Sequence, residues 1–230
     1  MILEEMKWDS DFFGYPVAKL NTDQESFDEE RLAKQSSSYR LVYVTSPTPI
    51  TDHRLVCGDT KVVFSKKPMD HGPTSNVVEV LDAQMAEAKE IGRQSGAWSR
   101  FALDKRFNTE AFGRLYDTWV ERSVRKEIAF KTLTILQDST MAGLITLAED
   151  NPSTSSIGLF AVADGFRGKG IGKQLLKAAD TISFKRGYTQ LNVATQGKNQ
   201  VAREVYQRFG FEITSETYIY NYWNEAFAIQ

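Results

Sequence analysis

At 230 residues, with 41% hydrophobic and 25% charged, the chain can bury a core as one large domain or two small ones, and its composition is that of a globular protein. A formal net charge of -2 excludes a general nucleic-acid binder, which needs a basic excess to neutralise phosphates. A single cysteine, Cys57, and two histidines, His53 and His71, exclude a disulfide framework and argue against a metal site.

The start, MILEEMKWDSDFFG, lacks the basic-then-apolar pattern of a secretory signal, and no apolar run approaches the ~18 to 20 residues that span a bilayer. A cytoplasmic location with no membrane attachment is therefore expected. WDSDFFGYP reads as packing within a first lobe, in which PVAKLNT, FDEERLAKQ, YRLVYVTS and KVVFSK follow as strand, helix, strand and strand. The proline-bearing stretch FSKKPMDHGPTSN, residues 64–76, reads as a linker, which places a small α/β lobe at 1–75 and a larger domain at 76–230. LDAQMAEAKEIGRQSG sets Met85, Ala88 and Ile91 at helical spacing behind Asp82 as N-cap. A second helix carries Phe112, Leu115, Tyr116, Trp119, Val120 and Val124 on one face.

The period then changes. AFKTLTILQDSTMAGLITLAED has β-branched residues on either side of QDST and predicts an antiparallel hairpin, and SSIGLFAVAD continues as a buried strand. KQLLKAADTISFKRGY puts Leu175, Ala179 and Ile182 on one helical face with Gly187 near the C-terminus. TQLNVAT is a strand, NQVAREVYQRFG a helix closed by Gly210, and FEITSETYIYNYW one or two final strands.

Between strand and helix lies FRGKGIGKQ, residues 166–174. A nucleoside-triphosphate loop needs a glycine four residues before Gly-Lys and a Ser or Thr after it; here Arg167 and Gln174 occupy those places. A dinucleotide fingerprint needs G-x-G-x-x-G in a strand-helix-strand unit, whereas Gly168, Gly170 and Gly172 alternate and follow a hairpin. What remains is a loop whose backbone N-H groups, with the following helix N-terminus, face a pyrophosphate, while Arg167, Lys169 and Lys173 add positive charge.

Arg167-Gly168-Lys169-Gly170-Ile171-Gly172 fits the pattern R/Q-x-x-G-x-G/A and, after IGLFAVAD, resembles the acyl-coenzyme A binding motif of the GNAT superfamily of N-acetyltransferases. One departure is Asp164, where a proline often stands. The resemblance implies a mixed α/β (α+β) fold with a central, mostly antiparallel sheet and a splayed strand pair; the first lobe would be a degenerate copy of the second. It implies acetyl-CoA or another acyl-CoA as cosubstrate, with no metal. The phosphate loop, Arg167 to Lys173 including Ile171, would hold the pyrophosphate. Backbone groups of Phe160 and Val162 would hold the pantetheine arm and the thioester carbonyl, and an N-H there would stabilise the developing oxyanion.

Family members also carry an asparagine opening a helix and a tyrosine seven residues later, matched by Asn199 and Tyr206. In that role Tyr206 donates a proton or a hydrogen bond to the departing thiolate. A phenol of pKa ~10 facing a thiol of ~8.5 makes full transfer uphill by roughly 2 kcal/mol, which favours the hydrogen bond. Two plainer readings stand beside these: Tyr206 packs with Val205 and Phe209, and Asn199 is an N-cap.

WDSDFFGYP, WSRFALDKRF, GRLYDTWVERSVR and the segment LNVATQ to YNYW are similar to the bacterial dTDP-4-amino-4,6-dideoxygalactose (dTDP-fucosamine) acetyltransferases and related nucleotide-amino-sugar N-acyltransferases. That resemblance implies a small-molecule nucleotide-sugar partner, a dTDP-linked amino-deoxysugar for a surface polysaccharide, acylated by direct attack of its amine. Arg100, Arg106 and Arg114 offer guanidinium forks for its pyrophosphate, and Phe101, Phe107 and Tyr116 offer rings for the base. Asp104, Glu110 and Asp117 are candidates for the base, with water as the alternative. The competing readings are a protein, peptide or polyamine acceptor, and a non-catalytic acyl-CoA-binding module. The aromatic run YIYNYW offers a surface for pairing across a homodimer.

Overall fold

The structure, a computed structural model, describes residues 2–23, 27–51, 55–74, 76–225 and 227. His53 lies outside the described residues. The elements in chain order are β1 (Leu3–Glu5), α1 (Lys7–Phe13), β2 (Val17–Asn21), α2 (Glu29–Gln35), β3 (Leu41–Ser46), β4 (Val56–Lys66), β5 (Val77–Glu79), α3 (Met85–Ser95) and α4 (Arg100–Leu103). They continue with α5 (Thr109–Val124), β6 (Lys131–Gln137), β7 (Thr140–Asn151), β8 (Thr154–Val162), α6 (Ile171–Lys185), β9 (Gln190–Gln196), α7 (Gln200–Arg208) and β10 (Glu212–Trp223). This is a mixed α/β protein with mostly antiparallel pairing, as the resemblance implies. Among the described residues no helix is long and apolar enough to cross a membrane.

Two compact units divide the chain: 1–62 with 196–198 and 215–230, and 63–195 with 199–214. The division differs from a single boundary at residue 75. Strands β4 and β10 each give one end to either unit, and most of β10 belongs with β1 to β3.

In the first unit the strands run β1-β2-β3-β10, antiparallel except for β2 beside β3. Parallel neighbours need a crossover, and α2 supplies it. Asp28 caps α2 by accepting from the Arg31 N-H at 2.9 Å, with Glu29 and Glu30 in the first turn, where the helix dipole favours negative charge. Leu32 then packs with Ala18, Leu20, Val42 and Val44, and Tyr220 and Tyr222 belong to the same core. The Tyr220 hydroxyl accepts from the buried Ile50 N-H at 2.7 Å, so a ring that fills the core also satisfies the backbone there. WDSDFFGYP forms α1, which ends at Gly14 with φ 76°. Its rings pack on one another: Trp8 stacks on Phe12 at 5.1 Å and Phe13 on Tyr15 at 5.7 Å.

In the second unit the strands run β4-β9-β8-β7-β6-β5, with β8 and β9 parallel and β5 to β8 antiparallel. The predicted β6-β7 hairpin turns on Asp138 and Ser139, both with positive φ. Helices α3 and α5 pack closely because a Cβ at Gly92 would overlap Val120 and one at Gly96 would overlap the Tyr116 ring. Asp82 is not the N-cap of α3. It begins a single 3-10 turn, and the Leu81 N-H donates to the Gln84 Oε1 at 3.0 Å instead. The stretch read as a linker is likewise tied down: the Met69 N-H donates to Asp180 Oδ1 at 3.2 Å and the His71 N-H to Thr181 Oγ1 at 3.0 Å, both on α6.

The feature that shapes the site is a bulge in β8. Ile145 pairs with Phe160 but Leu147 pairs with Ile157, so β8 carries one residue more than β7 over this stretch. The Leu159 N-H donates to the Thr146 Oγ1 at 2.8 Å rather than to a backbone carbonyl. Such an insertion shifts every later side chain to the opposite face, and Phe160 and Val162 thereby face α6: a Cβ at Gly172 would lie 3.3 Å from Phe160 Cζ and 3.4 Å from Val162 Cγ2.

Removing that buried hydroxyl acceptor tests the bulge. Thr146→Val keeps the shape and leaves the Leu159 N-H unsatisfied, which costs about 1–3 kcal/mol. A thermal melt should drop by several degrees, at roughly 2–4 °C per kcal/mol for this chain length. An unchanged melting temperature would show that the bulge does not depend on Thr146.

Candidate active site

The parallel ladder between β8 and β9 runs from Thr154 beside Gln190 to Ile157 beside Val193 and ends there. Beyond it, β8 continues along β7 alone. The Ala163 N-H donates to the Ala142 carbonyl at 3.0 Å, in register with Gly143 opposite Val162. Antiparallel neighbours alternate, so Ala161 also turns its backbone groups to β7, whereas Phe160 and Val162 turn theirs away, toward the side that β9 has left. This is the splayed pair expected from the resemblance. The Val162 carbonyl takes the Arg167 Nε-H at 3.2 Å.

The loop follows directly. Gly168 and Gly170 hold φ of 75° and 79°, a conformation that costs a residue with a Cβ, and a Cβ at either would meet nothing within 4 Å. The backbone sign, not crowding, calls for glycine there. Gly170 is the N-cap of α6 and supplies no side chain, so the first-turn N-H groups have no side-chain cap and are available to an anion. Arg167 pairs with Asp164 at 2.8 Å on the exposed side of the loop. Lys169 lies 5.3 Å from the Phe166 ring centroid, and Lys173 is exposed on the first turn.

Asn199 and Tyr206 both sit on α7. The Asn199 side chain accepts from the Ala202 N-H at 3.2 Å and so caps the helix that carries the tyrosine. Tyr206 is 4% exposed, among Phe64 at 5.5 Å, Phe211 at 5.9 Å and Phe160 at 6.2 Å between ring centroids. Burial alone pushes its phenol well above the ordinary tyrosine value. The group stays protonated at neutral pH and is a hydrogen-bond donor rather than a ready acid.

Residues 97–211, half of the chain, match the Acetyltransferase (GNAT) family. The chain belongs to the GNAT acetyltransferases. It is 25% identical over 224 residues to the dTDP-fucosamine acetyltransferase of Escherichia coli O6:H1, covering 94% of this chain and 96% of that one. Among solved structures it shares the fold of a conserved protein from Staphylococcus epidermidis, at TM-score 0.65 and 12% identity over 91% of this chain and 84% of that one. A GNAT-family acetyltransferase from Colwellia psychrerythraea gives TM-score 0.55 at 12% identity, over 83% and 70%.

Around the predicted acceptor residues of this GNAT protein, the structure narrows the choice. Phe101 is 8% exposed, edge-on to Phe107 at 5.1 Å and to Trp119 at 6.3 Å, with the Arg100 guanidinium 4.3 Å from its centroid. The ring is therefore largely packed within the protein. Arg106 forks onto Asp104, with Nε and a terminal nitrogen each 2.8 Å from a carboxylate oxygen. Asp117 is held the same way by Arg93 at 2.7 and 2.5 Å. Two of the three base candidates are therefore spent in ion pairs, and Glu110 is exposed at the start of α5.

Sequence reasoning missed a buried charge. Asp180 is fully buried on α6, with Lys66 and His71 against it. The signal was available: Asp180 stands four residues after Leu176, on the apolar stripe of its helix.

Raised in the folded state, the Tyr206 pKa makes a contribution to stability that is complete below the unfolded value of ~10 and is lost as pH rises through the folded value. Denaturant melts between pH 9 and 12 should show wild type losing stability more steeply than Tyr206→Phe. Parallel curves would mean the phenol is not held as described.

Proposed function

We propose that this GNAT protein transfers an acyl group, acetyl or related, from acyl-CoA to the amine of a dTDP-linked amino-deoxysugar. The observation that carries the acceptor is the extent of similarity to the dTDP-fucosamine acetyltransferase: it runs through 94% of the chain, well beyond the residues that match the family.

Acyl-CoA supplies the activated thioester, and the residues present fit such a ligand. The uncapped N-H groups at the start of α6, with Lys169 and Lys173, suit a pyrophosphate. Phe160 and Val162 present the open strand edge to an amide-bearing arm, as a neighbouring strand would. Tyr206 keeps its proton and offers it as a hydrogen bond to the sulfur that leaves. Because the phenol is buried among rings, that bond works in a low-dielectric setting and needs no reorganisation. Arg100 and Arg106 are the proposed acceptor-side contacts for a second pyrophosphate, Arg106 by exchanging its fork on Asp104 for the phosphate oxygens. With Asp104 and Asp117 ion-paired, Glu110 and water are left to take the amine proton. An amine on an electron-poor sugar ring makes that a modest demand.

Two measurements test the reading. A ligand at a hundred times its dissociation constant stabilises a protein by about 2.7 kcal/mol, so acetyl-CoA and, separately, dTDP should each raise the melting temperature by several degrees. A shift with acetyl-CoA alone would sink the nucleotide-sugar acceptor. Tyr206→Phe should keep the acetyl-CoA shift and lose about a hundredfold in kcat, the lower end of what a positioned proton donor contributes. Unchanged kcat would remove the role of Tyr206.

A further inference from the structure

The buried group on α6 bears on the same reaction. Asp180 Oδ2 takes the Lys66 ammonium and the His71 Nε2 at 2.7 Å, while Oδ1 takes the Met69 N-H at 3.2 Å. A carboxylate only accepts, so His71 donates from Nε2. The Lys66 side chain is 7% exposed and Asp180 is 0% exposed, so this ion pair has given up its water. Taking charges out of water costs enough that a buried ion pair is frequently no better for stability than apolar residues of the same volume. Stability alone therefore does not account for it.

What else Lys66 touches gives the account. Its ammonium lies 4.8 Å from the Phe209 centroid and 5.7 Å from that of Phe211, and the His71 ring is 5.5 Å from Phe209. Phe209 and Phe211 both donate their backbone N-H groups to the Tyr206 carbonyl, at 3.1 and 3.0 Å, and the Phe211 ring packs on Tyr206. One lysine thus joins the helix that opens with the phosphate loop to the aromatic wall and backbone that hold the phenol. The phenol itself is packed among the rings of Phe64, Phe160 and Phe211. Its direction therefore depends on where those rings sit.

We propose that Lys66 and Asp180, with His71, are positioning residues that set Tyr206 relative to the phosphate loop by anchoring Phe209 and Phe211 to α6. This rests on the reading of Tyr206 as the donor to the leaving sulfur. The ammonium over two ring faces restricts their tilt through cation-π attraction, which is stronger when desolvated. The carboxylate keeps the ammonium in place.

A double-mutant cycle tests it, following coenzyme A thiol release from acetyl-CoA with dTDP-4-amino-4,6-dideoxygalactose as acceptor. Lys66→Met should lower kcat tenfold or more, leave KM for acetyl-CoA within about twofold, and have little further effect when added to Tyr206→Phe. Lys66→Arg, which keeps a cation over the rings, should recover most of the loss. If Lys66→Met cannot be folded with Asp180 left without its ammonium, Lys66→Met with Asp180→Asn removes both charges together and should show the same kcat loss. A loss of equal size in the wild-type and Tyr206→Phe backgrounds overturns the coupling, as does a fall in melting temperature with kcat intact. Unchanged kcat in Tyr206→Phe overturns instead the donor role on which the proposal rests, and the two failures are told apart by that single variant.

Discussion

A strand cannot pair on both edges and also offer its backbone to a ligand. The extra residue in β8 resolves that conflict at one point: before it, Thr154 to Ile157 are paired with β9, and after it Phe160 and Val162 are not. Most of the candidate site follows from this. The same insertion turns the Phe160 side chain toward α6 and Tyr206, so backbone exposure and ring packing come from a single irregularity. Thr146 makes it tolerable by accepting the N-H that the bulge would orphan. Glycine at 172 lets the first turn of α6 come close to the turned strand, which brings uncapped helix N-H groups beside open strand edge.

How much of this was readable beforehand depended on whether the signal was local. The loop was readable because positive φ calls for glycine at fixed spacing, and the hairpin and the helices α5 and α6 because their apolar periods are long. The bulge was marked only by Gly158, a glycine inside SSIGLFAVAD, and reading that stretch as one regular buried strand passed over it. The packing of Phe101 was not legible for a related reason: an aromatic beside arginines gives no local sign that α4 and α5 fold its ring against Phe107 and Trp119. Asp82 looked like a cap because it precedes a helical period, yet Gln84 satisfies the Leu81 N-H and the helix starts later.

Asp180 shows how one polar residue on an apolar stripe can reorganise a distant segment. The proline-bearing stretch after β4 looks like a tether by composition, but its backbone at Met69 and His71 is hydrogen-bonded to α6 at Asp180 and Thr181. Composition describes what a segment would do when nothing holds it. A carboxylate buried on the neighbouring helix decides otherwise, because the cost of leaving it without donors exceeds the entropy of ordering a few residues.

The path of the chain has a consequence for folding. Leu41 in β3 is paired with Trp223 in β10, so β3 waits for a strand far along the chain. Until then β3 shows an open edge, and the core around Leu32 and Val44 lacks Tyr220 and Tyr222. Pairings so far apart in sequence are slow to form, because loop closure precedes any reward from contact. The second unit's hairpin and its loop-bearing helix are by contrast local, and can form while the first strands remain unfinished. The first unit thus keeps apolar surface uncovered until β10 pairs with β3, the step that completes its sheet.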